Sequence, residues 1–300
     1  MIHQLVQTSR NRPLKMYHST KDWSADYFLF TKDKTPVDKA ILGGFTCRQF
    51  SFAFMAGYQA ALAKMFPTIA PDQFKALCIS ETGGVHPKSI KTRLVGNQVT
   101  GIKTYVTGGS EATHLLVLCK VGENSYGRPI LKMIQLPGNA NNIEITDFNL
   151  SFMQEVKHGK LSLKGSQIKS DQILEGDGYS HYAKPFRTLE DICISAAYQA
   201  MLLRQALDNN WSDTLRDQIL FNLFTLKNLI LLPLLGNETH ILLSAYEINF
   251  ENLLPDIDLH ITNHSSSAFR ADWETNKKAI FLGKKTKEQR LLSARKILFE

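Results

Sequence analysis

The stretch "ALCISETGGVHPKS", residues 76–89, begins as an apolar strand and stops being one at Ser80, where a hydroxyl, the Glu81 carboxylate and a glycine pair follow in succession. Small polar residues and glycine end strands because they turn the chain and offer the backbone competing hydrogen bonds. The fold is decided by what lies on either side. Upstream, "RQFSFAFMAGYQAALAKMF" is apolar around most of its circumference and ends at Pro67, the pattern of a buried helix. Downstream, "KALCIS", "KTRLVGN", "QVTGIKTYVTG", "HLLVLCKV", "ILKMIQLP", "NIEITDF" and "GKLSLKGSQI" are short, rich in β-branched residues and bounded by Gly, Asn or Pro.

Seven such strands with no helix between them predict an antiparallel barrel or sandwich rather than βαβ units. Gly96-Asn97 marks a hairpin turn. After Pro185 the pattern changes to helical spacing in "TLEDICISAAYQAMLLRQALDN", "SDTLRDQILFNLFTLKNLILL", "ETHILLSAYEINFENLL" and "ADWETNKKAIFLGKKTKEQRLLSARKIL", with Thr188, Ser212 and Asp272 as N-caps. Before the strands, Thr35 caps a helix that opens on Pro36 and breaks at Gly43-Gly44. Residues 1 to about 35 show little periodicity and are expected to cross the surface irregularly. The expected architecture is α+β multidomain: a short N-terminal helical region (1–73), a central antiparallel β-barrel or sandwich (74–184) and a C-terminal helical bundle (185–300).

With 300 residues, 43% of them hydrophobic, the chain can bury a large core. A net charge of +7 suits an anionic partner, whether nucleic acid, a phosphate-bearing cofactor or a coenzyme A ester. A basic module for nucleic acid needs aromatics interleaved with Lys and Arg on one strand face, and only "KTYV" comes near; no nucleic acid partner is expected. The basic C-terminal segment reads as the solvated face of a helix. Cys47, Cys78, Cys119 and Cys193 form no CxxC pair and read as reduced core residues of a cytoplasmic protein. The N-terminus lacks a signal-peptide core, and Ile219–Leu235 is interrupted by Asn222, Lys227, Asn228 and Pro233, which predicts a buried helix and no membrane span.

Three landmarks lie in register: "LCISETGG" at 77–84, "NQVTGIKTYVTGGSEATHLLVLCKV" at 97–121 and "GKLSLKGSQIKSDQILEGDGY" at 159–179. Together they resemble the acyl-CoA dehydrogenase family across roughly residues 40–205, as a small, divergent member. The resemblance implies a flavoprotein with FAD as hydride acceptor, oxidising an acyl-CoA or acyl-carrier-protein thioester at Cα–Cβ in fatty acid metabolism. An electron-transfer flavoprotein would be its redox partner, and apolar helices such as 219–235, which a shortened bundle leaves to be covered, point to a homo-oligomer, expected as a dimer. On the same resemblance, Ser80, Glu81, Tyr105, Val106 and Thr107 are the cofactor-binding residues. Ser80 would reach the pyrimidine side of the flavin, Tyr105 would sit against the ring and Thr107 would approach N5. The Glu81 N–H would polarise the thioester carbonyl, with His86 and Lys88 as further substrate-binding residues; Lys88, Lys91 and Arg93 suit a pyrophosphate or a coenzyme A 3'-phosphate, or are simply exposed barrel charges. Taken singly, Ser80 is also a turn former, Tyr105 a cross-strand packing residue and Thr107 ordinary strand-end usage.

The chain departs from the family pattern in three places. Val85-His86-Pro87 replaces the Gly-Ser-Asp of the phosphate loop, and proline removes a backbone donor. Leu282 falls where the resemblance would put the catalytic carboxylate, and Glu247, Glu251 and Glu288 are the candidates to replace it. The Arg-x-x-Phe-Gly signature that would hold the cofactor's pyrophosphate is missing between 200 and 235. An alternative therefore stands beside the enzyme: a catalytically degenerate member that binds flavin or an acyl thioester, or serves as a partner subunit.

Overall fold

In the computed structural model, which describes residues 2–299, seven strands form where the alternation places them. They are β1 (Lys75–Cys78), β2 (Arg93–Val95), β3 (Gln98–Thr107), β4 (His114–Glu123), β5 (Pro129–Pro137), β6 (Ile143–Phe148) and β7 (His158–Gln167). They join one sheet in the order β1-β4-β2-β3-β7-β6, with β5 on the other edge of β4. The expectation of an antiparallel barrel or sandwich needs correcting in two respects. The sheet does not close, and β1 and β2 both run parallel to β4. Alternation fixes which face a side chain takes, not which way the neighbouring strand runs.

The parallel pairings share one edge of β4. β1 covers His114–Val117, and β2 resumes on the same edge at Lys120, opposite Arg93. The two are halves of one interrupted strand, and residues 79–92 form the excursion between them. β5 lines the opposite edge of β4 throughout, from His114 to Glu123.

The chain divides into two compact units. One comprises Ser19–Ala25 and Met65–Arg187 and contains the sheet; the other comprises Met1–His18, Asp26–Lys64 and Thr188–Glu300 and is helical. The helices are α1 (Ile2–Asn11), α2 (Thr20–Thr31), α3 (Pro36–Thr46), α4 (Phe50–Met65), α5 (Lys184–Asp208), α6 (Asp213–Leu229), α7 (Asn237–His264), α8 (Ser267–Asn276) and α9 (Lys284–Phe299). The irregular path expected for residues 1–35 is thus replaced by α1 and α2. Their apolar residues are too sparse to show a period, yet Leu5, Trp23 and Tyr27 are each 1% exposed.

Thr35 caps α3 as expected, but Gly43-Gly44 does not break it. A Cβ on Gly44 would lie 2.6 Å from the Ala197 carbonyl carbon of α5, and one on Gly57 of α4 would lie 2.6 Å from the Ile194 nitrogen of the same helix. The glycines are there for close helix approach. Ser212 caps α6 as predicted. Thr188 lies inside α5, and its hydroxyl accepts from Arg290 Nη1 at 3.2 Å. Asp272 lies inside α8, which Ser266 caps; its carboxylate instead accepts the Phe50 N–H at 2.7 Å, capping α4.

The basic tail, expected as one helix, is broken by a 3₁₀ stretch at Lys277–Phe281 and by Gly283 at φ 75°. The buried helix expected over 219–235 ends at Leu229. It buries Ile219, Leu223 and Leu226 but leaves Phe221 and Phe224 more than 60% exposed. No helix among the described residues is long and apolar enough to cross a membrane. All four cysteines are free and buried.

Candidate functional site

The interrupted strand leaves β4 without a strand partner at Leu118 and Cys119 on that edge. Unpaired carbonyls in a buried sheet need a donor, and Lys103 of β3 supplies it. Its side chain is fully buried, and its ammonium donates to Leu118 O at 2.5 Å, Ile79 O at 3.3 Å and Glu81 Oε1 at 2.8 Å. The Glu81 carboxylate also accepts the Lys91 N–H at 2.7 Å and the Thr92 N–H at 3.1 Å, which closes the excursion onto itself. Gly101, two residues before Lys103, permits the approach, since a Cβ there would lie 2.6 Å from Thr92 Cα. Burial opposes the charge on Glu81, but Lys103 and the backbone donors outweigh it and hold its pKa below the ordinary glutamate value.

A carboxylate with a depressed folded pKa adds stability above its unfolded pKa and loses it as pH falls through the folded one. The Glu81 contribution should therefore be complete above the ordinary value of 4.5 and disappear on acidification below it. Urea midpoints measured down that limb should fall less steeply for Glu81→Gln than for the native chain. Parallel curves would mean that Glu81 does not carry the acid sensitivity.

Ser80, between these anchored neighbours, is half-buried, and its carbonyl accepts the Thr104 N–H at 2.8 Å. Its hydroxyl makes no hydrogen bond among the described residues. Thr104 and Tyr105 sit at a β-bulge, where β3 spends three steps from Lys103 to Val106 against two on β7 from Leu161 to Gly159. Bulges re-aim side chains. The Tyr105 ring packs against His158 at 5.0 Å and edge-on to Phe148 at 5.6 Å, and is 38% exposed. Burial pushes its phenol up to about 12, and burial lowers the His158 pKa against the pull of its Val156 carbonyl contact, so both stay neutral near pH 7. Val106 is buried, and the Thr107 hydroxyl, like that of Ser80, engages no partner among the described residues. Beyond it, Asp147 fixes the turn by accepting from the Ser110 N–H at 2.8 Å and hydroxyl at 2.6 Å.

The structure therefore brings Ser80 to the bulge that carries Tyr105, Val106 and Thr107. It gives other duties to the remaining predicted residues. The Glu81 N–H donates to Gly84 O at 3.0 Å. His86 caps the 3₁₀ turn Pro87–Ser89, its Nδ1 accepting the Lys88 N–H at 3.2 Å, while Lys88 is exposed. The family-like "EGDGY" run is explained by packing: a Cβ on Gly178 would lie 2.6 Å from the Lys132 carbonyl carbon, and Asp177 caps the π-helical turn Gly178–Ala183.

In the helical unit, Glu247 and Glu251 line a small cavity of about 40 Å³ with Ser195, Phe250, Phe281 and Lys287. Glu247 pairs with Lys287 at 2.7 Å and Glu251 with Lys284 at 3.0 Å, while Glu288 is exposed. Burial raises the Glu247 pKa despite Lys287. Asp191 joins the cluster through Lys287 at 3.5 Å and Arg290 at 2.5 Å. Lys103, His158 and Phe148 were missed from sequence. The available signal for Lys103 was the Gly-x-Lys of the second landmark; the aromatic pair gave none.

No protein-family profile and no curated protein matches the chain. Solved structures do. Butyryl-CoA dehydrogenase from Megasphaera elsdenii superposes with a TM-score of 0.65 at 13% identity, over 92% of this chain and 85% of that one. The chain has the acyl-CoA dehydrogenase fold. FMN-bound TdsC from Paenibacillus sp. A11-2 matches at TM-score 0.67 and 12% identity, over 91% of this chain and 87% of that one. The prolyl acyl carrier protein oxidase AnaB matches at 0.60 and 15%, over 86% and 81%. Identities of 12–15% show that the fold is shared while the sequences have drifted far apart.

Proposed function

We propose that this chain is a flavoprotein that oxidises an acyl thioester at Cα–Cβ, with FAD as its cofactor. The observation that carries this reading is the pair of unengaged hydroxyls of Ser80, whose carbonyl is bonded to the bulge of β3, and of Thr107, at the end of β3, beside the half-exposed ring of Tyr105 in that bulge. Hydroxyls free to bond ring heteroatoms, beside an aromatic face, fit the isoalloxazine group. In the neighbouring loop, Pro87 has no N–H to offer and the His86 Nδ1 already accepts the Lys88 N–H. Bound flavin supplies a hydride acceptor. Ser80 and Thr107 would hold its polar edge and Tyr105 would line it, with the buried Val106 packed behind. Glu247 is the carboxylate proposed to take the α-proton, since it lines a cavity of the helical unit where burial raises its pKa.

The test is the visible spectrum of the purified protein. Bound oxidised flavin that bleaches anaerobically with an acyl thioester supports the reading, with an electron-transfer flavoprotein as the proposed onward acceptor. Glu247→Gln should abolish bleaching while keeping the flavin. Thr107→Ala should weaken flavin retention by about tenfold, the worth of one good hydrogen bond, and leave the fold intact; unchanged retention would put the ring elsewhere.

A second reading has its own support: the Glu81 N–H is committed to Gly84 O, so it is not free to polarise a thioester carbonyl. A catalytically silent flavin- or thioester-binding subunit would show flavin without bleaching. Colourless protein that takes up neither FAD nor FMN would rule out the enzyme. The exposed Phe221, Phe224 and Leu231 support a homo-oligomer, which sizing would detect.

A further inference from the structure

The Lys103 ammonium is fully buried, and the proposed chemistry does not use it. Its hydrogen bonds fall on both sides of one residue. Nζ donates to the carbonyl of Ile79, which precedes Ser80, and to the carboxylate of Glu81, which follows it. The third bond, to Leu118 O, ties this grip to the middle of β4, where the interrupted strand leaves a carbonyl without a backbone donor. The Ser80 carbonyl is meanwhile held by the Thr104 N–H of β3, the strand to which Lys103 itself belongs. Both flanks and the backbone of Ser80 are thus fixed, and its hydroxyl is the part left free.

A lysine in such a place is costly, because burying an ammonium and a carboxylate takes both from water. An apolar residue of similar length would fill the volume without that cost. It could not supply three donors to three acceptors, one on β4 and two in the excursion that follows β1. We propose that Lys103 is a positioning residue, which fixes Ser80 at the break in the β1–β2 edge so that its hydroxyl is aimed before any ligand arrives. The inference rests on the flavin reading of that hydroxyl. Preorganised donors bind more tightly because the ordering has already been done by the fold.

The experiment is a coupling cycle read as flavin dissociation constants, using FAD and FMN as probes. Lys103→Met/Glu81→Gln removes both charges together and leaves neither buried alone. If Lys103 acts through Ser80, the pair variant and Ser80→Ala should each weaken flavin binding by about tenfold, one hydrogen bond's worth. The triple variant should then lose about tenfold rather than the roughly hundredfold of independent effects.

Multiplicative losses, or a pair variant that binds as the native chain does, would overturn the inference. A native chain that binds no flavin would overturn the flavin reading and this inference with it. Circular dichroism checks the fold of each variant. If the pair variant does not fold, Glu81→Gln alone, which keeps the Lys103 bonds to Ile79 and Leu118, goes through the same cycle with the same expected shortfall from multiplicativity.

Discussion

Gly44→Ala is expected to destabilise the helical unit by about 3 kcal/mol or more, at the upper end of what overpacking costs. The new methyl would lie 2.6 Å from the Ala197 carbonyl carbon, a backbone atom in the middle of α5 that no rotamer change can move. α3 and α5 would have to separate, and Gly57 repeats the arrangement between α4 and α5 at Ile194. Denaturant unfolding followed by far-ultraviolet circular dichroism measures the loss, and Gly84→Ala is the control. That glycine has nothing within 4 Å of its Cβ position, so its cost is confined to the strain of φ 95°. Equal midpoints for the two variants would show that helix separation costs little.

Lys103→Met alone is expected to cost roughly 3–5 kcal/mol, the range for breaking one side of a buried ion pair. The side chain is fully buried, so no water replaces the lost donors, and the Glu81 carboxylate is left with only the Lys91 and Thr92 amides. The Leu118 carbonyl loses its donor at the strand break as well. Glu81→Gln added to Lys103→Met should recover much of the loss, because a neutral pair carries no stranded charge. Should the single variant unfold at the native midpoint, the lysine would contribute nothing to stability.

The strands were legible because alternation survives in a single sequence, and every expected strand is present. Their pairing was not. That β2 resumes the edge begun by β1 depends on β4, whose residues Val117 and Lys120 lie far along the chain. Lys103 shows the same limit. Nothing in "GIKTYVT" tells what Lys103 binds, and only the gap in the β4 edge explains which carbonyl its buried ammonium serves. Gly43-Gly44 looked like a break because a glycine pair weakens a helix in isolation, and the contact with Ala197 that requires Gly44 is visible only in three dimensions.

Ser80, Tyr105 and Thr107 were named by resemblance to a known pattern and stand as proposals, whereas the Glu81 N–H and the His86 Nδ1 turn out to be engaged within their own loop. A backbone N–H already donated within a four-residue turn leaves no mark in the sequence. The carboxylates could not be ranked from sequence either, since Glu247, Glu251 and Glu288 differ in burial and partner but not in chemistry.

The bulge in β3 also changes what a deletion would do. Removing Thr104 would leave two steps on β3 against two on β7 and so restore regular pairing between Lys103 and Val106. The same deletion would remove the amide that holds the Ser80 carbonyl. The extra residue makes β3 a branch point, bound to β7 along its length and to the end of β1 at a single amide. A shorter chain would have a more orderly sheet and a loose strand end where the candidate site now stands.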